Sequence, residues 1–208
     1  MQNKNTLDDN AKHLHITIDP THFSNFYEIL QSGFIVRCRV GVSIKALLCE
    51  QFGLTPEYVV ERISTIFLDG KPVDDIESAI IKDGSRLALS AAMPGLVGAT
   101  MRREGVYASL RSSITYEEKH SNYQSKEGTV TIKLFNLLME ELGPIFLKRG
   151  IFVTFPAMAT FLTKQPDNFW KACKEILLDG KPVTYSMLQK SNLTAQCDWV
   201  YLTVLISN

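Results

Sequence analysis

The sequence predicts an α+β chain made of two tandem copies of one small domain. Three observations lead there. The segment Ile66-Phe67-Leu68-Asp69-Gly70-Lys71-Pro72-Val73 recurs as Ile176-Leu177-Leu178-Asp179-Gly180-Lys181-Pro182-Val183, and at this offset residues 55–73 and 165–183 share 8 of 19 positions, where average composition gives about one by chance. Stretches of period-two alternation lie between stretches of helical spacing in both halves. The 208 residues are 45% hydrophobic and 21% charged, enough to build a core and unlike a disordered or collagen-like chain. That length suits one large or two small domains.

Each element of the first copy has a local cause. His13 to Asp19 alternates, with Leu14, Ile16 and Ile18 on one face, and predicts a half-buried strand. Pro20 and Thr21 open a short helix through about Leu30, which Gly33 ends. Phe34 to Val40 is a β-branched strand with Arg37 and Arg39 on one face. Ser43 caps a helix through Phe52, because Ile44, Leu47, Leu48 and Phe52 recur at helical spacing. Gly53 stops it, and Thr55-Pro56 starts another short helix. Ile66 to Val73 is a hairpin turning at Asp69-Gly70, a pair suited to positive φ. A helical turn over Asp74 to Ile81, a turn at Asp83-Gly84 and a strand from Arg86 to Ala91 complete the copy.

The second copy repeats the order. Val130 to Phe135 is a strand, and Asn136 caps a helix through about Leu147 that ends at Gly150. Ile151 to Thr154 is a strand, and Pro156 to Thr163 and Pro166 to Lys174 are helices. Ile176 to Val183 is a hairpin about Asp179-Gly180, Thr184 to Lys190 is a turn, and Trp199 to Ile206 is the closing strand. A sheet that grips one main helix in this order is a β-grasp, or ubiquitin-like, domain. The expected boundaries are 1–95 for the first domain, 96–128 for a Gly/Arg loop, bridging strand and linker, and 129–208 for the second domain.

Thr131-Ile132-Lys133-Leu134-Phe135 followed by Leu137-Leu138-Met139-Glu140-Glu141-Leu142-Gly143 resembles the opening of the sulfur-carrier β-grasp proteins, the molybdopterin synthase small subunit and the thiamine sulfur carrier. The Leu-Asp-Gly-Lys-Pro-Val hairpin and Lys82-Asp83-Gly84-Ser85-Arg86-Leu87 are similar to that family's hairpin and late turn. The resemblance implies the fold. The family's activity needs a free C-terminal Gly-Gly, whose carboxylate is adenylated and thiocarboxylated. Here the copies end in Leu205-Ile206-Ser207-Asn208 and in Met93-Pro94-Gly95-Leu96-Val97-Gly98. The activity is therefore not carried over, and a carrier role would need processing after Gly98.

Residues 95–128 belong to neither copy. Gly95, Gly98 and Gly105 bracket Met101-Arg102-Arg103-Glu104, and Val106, Ala108 and Leu110 alternate with Tyr107, Ser109 and Arg111. This pattern predicts a bridging strand over about 105–116 that covers a sheet edge. The polar stretch Glu117 to Gly128 reads as a linker. Gly95, Gly98, Arg102, Arg103, Gly105 and Arg111 are the candidate residues for an anion or a partner's carboxylates.

Other constellations are weaker. His13 and His15 share a strand face and His22 lies nearby, but they supply too few ligands for a metal site. Cys38, Cys49, Cys173 and Cys197 are scattered, so reduced thiols are expected. Phe152, Phe155, Phe161, Phe169 and Trp170 sit at core spacings, with base stacking as the alternative. No acid, base and nucleophile set stands out, so the chain is expected not to be an enzyme and to need no cofactor. The polar N-terminus has no signal-peptide or membrane-span pattern, which predicts a cytoplasmic protein with no membrane partner. A net charge of +0 argues against a nucleic-acid partner. The expectation is a non-catalytic module that binds a protein through a sheet edge or face. The alternatives are a sulfur-carrier relative in cofactor biosynthesis, or anion or nucleotide binding through the 95–111 loop.

Overall fold

A computed structural model describes residue 7 and residues 11–118, 122–190 and 197–207. The strands are β1 (Ala11–Ile18), β2 (Phe34–Val40), β3 (Val42–Ser43), β4 (Thr65–Leu68), β5 (Lys71–Pro72), β6 (Ile80–Ile81), β7 (Ser85–Ser90), β8 (Lys126–Phe135), β9 (Ile151–Thr154), β10 (Cys173–Leu178), β11 (Lys181–Pro182) and β12 (Trp199–Ile206). The α-helices are α1 (Tyr27–Ser32), α2 (Ile44–Ala46, continued by a π-helical Leu47–Gln51), α3 (Pro56–Arg62), α4 (Gly95–Met101), α5 (Leu137–Arg149), α6 (Phe155–Lys164), α7 (Asp167–Ala172) and α8 (Tyr185–Lys190). Pro20–Phe26 and Ala108–Ile114 are 3-10 helices. The chain is thus α+β.

Part of the element order recurs along the chain. The series β1-α1-β2-α2-α3-β4-β5-β7 is matched by β8-α5-β9-α6-α7-β10-β11-β12. Local chemistry sets several boundaries as expected. Ser43 Oγ accepts from the Ala46 N–H at 3.1 Å, and Thr55 Oγ1 from the Tyr58 N–H at 3.1 Å. The two Asp-Gly turns are equivalent: φ is 51° and 82° at Asp69 and Gly70, and 51° and 75° at Asp179 and Gly180. Positive φ at both central residues is the turn that matches the twist of a two-residue hairpin.

Two compact units form, and they cut across the repeat. Unit I comprises Met1–Phe34 with Glu140–Asn208, and unit II is Ile35–Met139. In unit I the strands lie in the order β11-β10-β1-β12-β9. β1 runs antiparallel to β10 and parallel to β12, pairing with β12 from Ala11↔Trp199 to Ile18↔Ile206. Leu14, Ile16 and Ile18 of β1 and Val200, Leu202 and Val204 of β12 face the core. Phe26, Phe161 and Phe169 form its aromatic centre, with ring centroids 5.2–5.9 Å apart.

In unit II the order is β2-β8-β7-β4-β5, with a separate pair β3-β6. β8 lies parallel to β7, and β7 antiparallel to β4. Ile66, Leu68, Leu87, Leu89, Val130, Ile132 and Leu134 of this sheet are fully buried, as are Ile44, Leu47 and Leu48 of the α2 segment. The opening strand of each copy therefore packs among strands of the other, but in different slots: β1 lies between β10 and β12, and β8 between β2 and β7. β1, first-copy by sequence, lies with second-copy strands, and β8, second-copy by sequence, lies beside β7. Domain limits at 95 and 129 follow the repeat, whereas the packing follows this exchange.

The bridging strand expected over 105–116 is corrected. Ala108–Ile114 is a 3-10 helix. The alternation of Val106, Ala108 and Leu110 is not a burial pattern, because Val106 and Leu110 are both exposed. The residue taken into the interior is Arg111, whose side chain is 2% exposed. The edge-covering role survives in another form: at the end of this segment the Tyr116 N–H donates to the Pro72 carbonyl on β5 at 2.8 Å. In the expected linker, 117–118 and 122–125 have no regular structure, 126–128 join β8, and 119–121 lie outside the described residues.

Candidate functional site

The insert between β7 and β8 is held by one arginine. All five Arg111 N–H donors are used. Nε donates to the Thr100 carbonyl at 2.8 Å, Nη1 to Asp74 Oδ2 at 3.0 Å and Thr115 Oγ1 at 2.9 Å, and Nη2 to Asp74 Oδ1 at 2.6 Å and the Arg102 carbonyl at 3.2 Å. The Glu104 N–H adds a third bond to Asp74, at 3.0 Å. Burial pushes the Asp74 carboxyl up. The Arg111 and Glu104 hydrogen bonds and the Arg111 and Arg103 charges outweigh it, so the carboxyl sits below its ordinary range.

The remaining candidates also hold the insert in shape. Gly95 begins α4 with φ of 75°. Gly98 is buried, and a Cβ there would lie 1.8 Å from the Met93 carbonyl oxygen, so only glycine fits. The Arg103 N–H donates to the Ser64 carbonyl at 2.8 Å and its Nη2 to the Val59 carbonyl at 3.1 Å, while Nη1 is buried with no hydrogen-bond partner. Burial lowers the Arg103 pKa. Gly105 turns the chain, its N–H bonding the Arg102 carbonyl at 3.2 Å. Of the three arginines, only Arg102 has an exposed side chain. The three arginines do not converge as a free anion cradle, because the donors of Arg111 are fully committed within the unit.

Much of what the insert exposes is apolar. Leu96, Val97, Val106, Tyr107, Leu110 and Ile114 are 48–92% exposed, half of the large exposed apolar side chains among the described residues. The sequence reading missed this surface, since it took the alternation of these residues as strand pairing. The signal was present as apolar residues in a glycine- and serine-rich stretch.

A second feature of unit II lies on the face of its sheet turned away from the core. Phe67, Arg86, Ala88, Met93, Lys133 and Phe135 line a recess of about 780 Å³. The register sets Ala88 opposite Phe67 on β4 and beside Lys133 on β8. Asp69 also lines the recess, but its Oδ1 accepts from the Arg86 N–H at 2.7 Å and its Oδ2 from Ser85 Oγ at 3.2 Å. Among the described residues, neither the Arg86 nor the Lys133 side chain forms an ion pair. Period-two outward positions in the two strands were the available sequence signal.

The other constellations resolve differently. His15 Nδ1 lies 2.8 Å from Thr203 Oγ1, and the His13 ring packs 5.2 Å from Tyr201. No group of three His, Cys, Asp or Glu side chains suited to a metal occurs among the described residues. None of the four cysteines forms a disulfide, and burial raises the Cys173 thiol pKa to about 11. Phe152, Phe161 and Phe169 are buried core residues, and Trp170 stacks on Tyr185 at 4.1 Å. Among the described residues no helix is long and apolar enough to cross a membrane. The chain matches no family model, no curated protein and no solved structure.

Proposed function

We propose that the protein is a non-catalytic interaction module built on two β-grasp units, and that the 95–116 insert of unit II is its contact surface for a protein partner. The strand order supports the fold reading. In unit II two parallel central strands, β7 and β8, have a hairpin on one side and β2 on the other. The observation that carries the function is the display of Leu96, Val97, Val106, Tyr107, Leu110 and Ile114 to solvent. Large contiguous apolar surface on a folded protein marks interaction sites. Arg111 and Gly98 fix this segment, which lowers the ordering cost of binding. The face is favoured over an edge. The edge strands β5 and β11 are both the two residues Lys-Pro, and proline blunts strand addition.

Leu96→Ser/Leu110→Ser in the full chain tests the reading. Both side chains are exposed, so the melting transition stays unchanged. The expected result is a stoichiometric partner captured by the wild type and lost by the variant. Capture unaffected by the substitutions would refute the surface. A wild-type dimer that the variant dissolves would assign the face to a second copy instead.

A further inference from the structure

We propose that the recess on the outer sheet face of unit II is a binding site for a small amphipathic anion, a molecule with an apolar body and a carboxylate-like head. The inference is independent of the insert's partner. Its volume of about 780 Å³ falls within the roughly 300–1,000 Å³ of ligand-binding clefts. The chemistry of its wall divides cleanly. Phe67, Ala88, Met93 and Phe135 supply apolar contact. Arg86 and Lys133 supply two positive charges on adjacent parallel strands, two residues apart in register, since Arg86 pairs with Thr131 and Ala88 with Lys133.

The remaining polar groups are already engaged. The Asp69 carboxylate accepts from the Arg86 N–H and Ser85 Oγ. The Asn136 amide donates to Ser90 Oγ at 3.1 Å and to the Ala92 carbonyl. Asn136 holds φ of 57°, and these two bonds tie the recess wall to the end of β7. The wall therefore carries two cations against the single Asp69 carboxylate, beside aromatic and aliphatic surface. An anion with an apolar body satisfies both, whereas a neutral or cationic body leaves the guanidinium and ammonium unpaired.

Dodecanoate, kept below its micelle concentration, is the probe, with dodecyltrimethylammonium as the same chain carrying the opposite charge. Backbone amide shifts of the full chain report the site. Dodecanoate is expected to give saturable shifts at 86–90 and 133–136, and the cation to bind at least tenfold more weakly. Arg86→Gln/Lys133→Gln should weaken dodecanoate at least tenfold, and Ala88→Trp should abolish it by filling the floor. Both variants alter the solvent-side face, and an unchanged amide spectrum elsewhere verifies their fold. Absence of saturable shifts at these strands would overturn the proposal. Equal binding of both amphiphiles would overturn its anionic part and leave the recess to an uncharged apolar segment.

Discussion

Units I and II share a plan and differ in what they show to solvent. In both, the Asp of the Asp-Gly turn clasps the neighbouring strand twice. Asp69 donates its N–H to the Arg86 carbonyl at 2.9 Å and accepts from the Arg86 N–H at 2.7 Å; Asp179 does the same with His13 at 2.8 and 3.0 Å. β1 in unit I thus holds the place that β7 holds in unit II. Beyond this lock the units diverge. On the sheet of unit I, side chains pack on one another across strands: His15 with Thr203, His13 on Tyr201, and Tyr201 on Phe152 at 4.8 Å. The outer sheet face of unit II is hollowed into a recess, and unit II alone carries the insert. The bonds the two units share hold the Asp-Gly turns in place. The surfaces that differ are where binding is to be sought.

The comparison breaks most severely at Arg111. Arg111→Met leaves Asp74 and three other acceptors facing a buried apolar side chain; Asp74 is 31% exposed and recovers some water, so the cost is about 3 kcal/mol, the low end for a broken buried pair. Denaturant unfolding should show that loss, with hydrogen exchange rising in 95–116 while β1 and β12 of unit I stay protected. Equal deprotection of both units would show that the clip is not local. Gly98→Ala comes next, at about 1–3 kcal/mol by overpacking against the Met93 carbonyl. Asp69→Asn and Asp179→Asn sharpen the shared half of the comparison. Each weakens a charge-assisted clasp while keeping a residue that tolerates positive φ, and each should cost about 1 kcal/mol. A marked difference between the two would contradict their equivalence.

A pH series isolates the same clip. The Asp74 carboxyl is depressed in the folded state, so its contribution is present above the unfolded value of about 3.9 and is lost as pH falls through the folded value. Protease cleavage within the insert should therefore rise below about pH 4, and Asp74→Asn should flatten that response. Unchanged cleavage between pH 6 and pH 3 would remove Asp74 from the account. The smallest stability effect belongs to Leu96→Ser/Leu110→Ser, within about 0.5 kcal/mol.

Much of the scaffold was legible because its causes are local. Ser43 caps the helix it was expected to cap, the helix expected to start at Thr55-Pro56 does so, and the Asp69-Gly70 and Asp179-Gly180 turns follow from the tolerance of those residues for positive φ. The core residues Leu14, Ile16 and Ile18 follow from alternation. The exchange of β1 and β8 was not legible, since both strands alternate alike and nothing local says which β12 or β7 each will join. The insert was misread for a related reason. Periodicity reports burial only when the apolar residues go inside, and here a single arginine went in while Val106 and Leu110 stayed out. The recess in unit II depends on three strands aligned in register, information that no one segment holds.

Site-specific photo-crosslinking tests the central claim most directly. A benzophenone side chain is placed at position 110 of the insert and, in a separate full-length protein, at position 205 of unit I, where Leu205 is also apolar and 38% exposed. After illumination in cell extract, position 110 should yield one discrete heavier species that Leu96→Ser removes, and position 205 should yield none. The same species from both positions, or none from position 110, would contradict the assignment of binding to the insert.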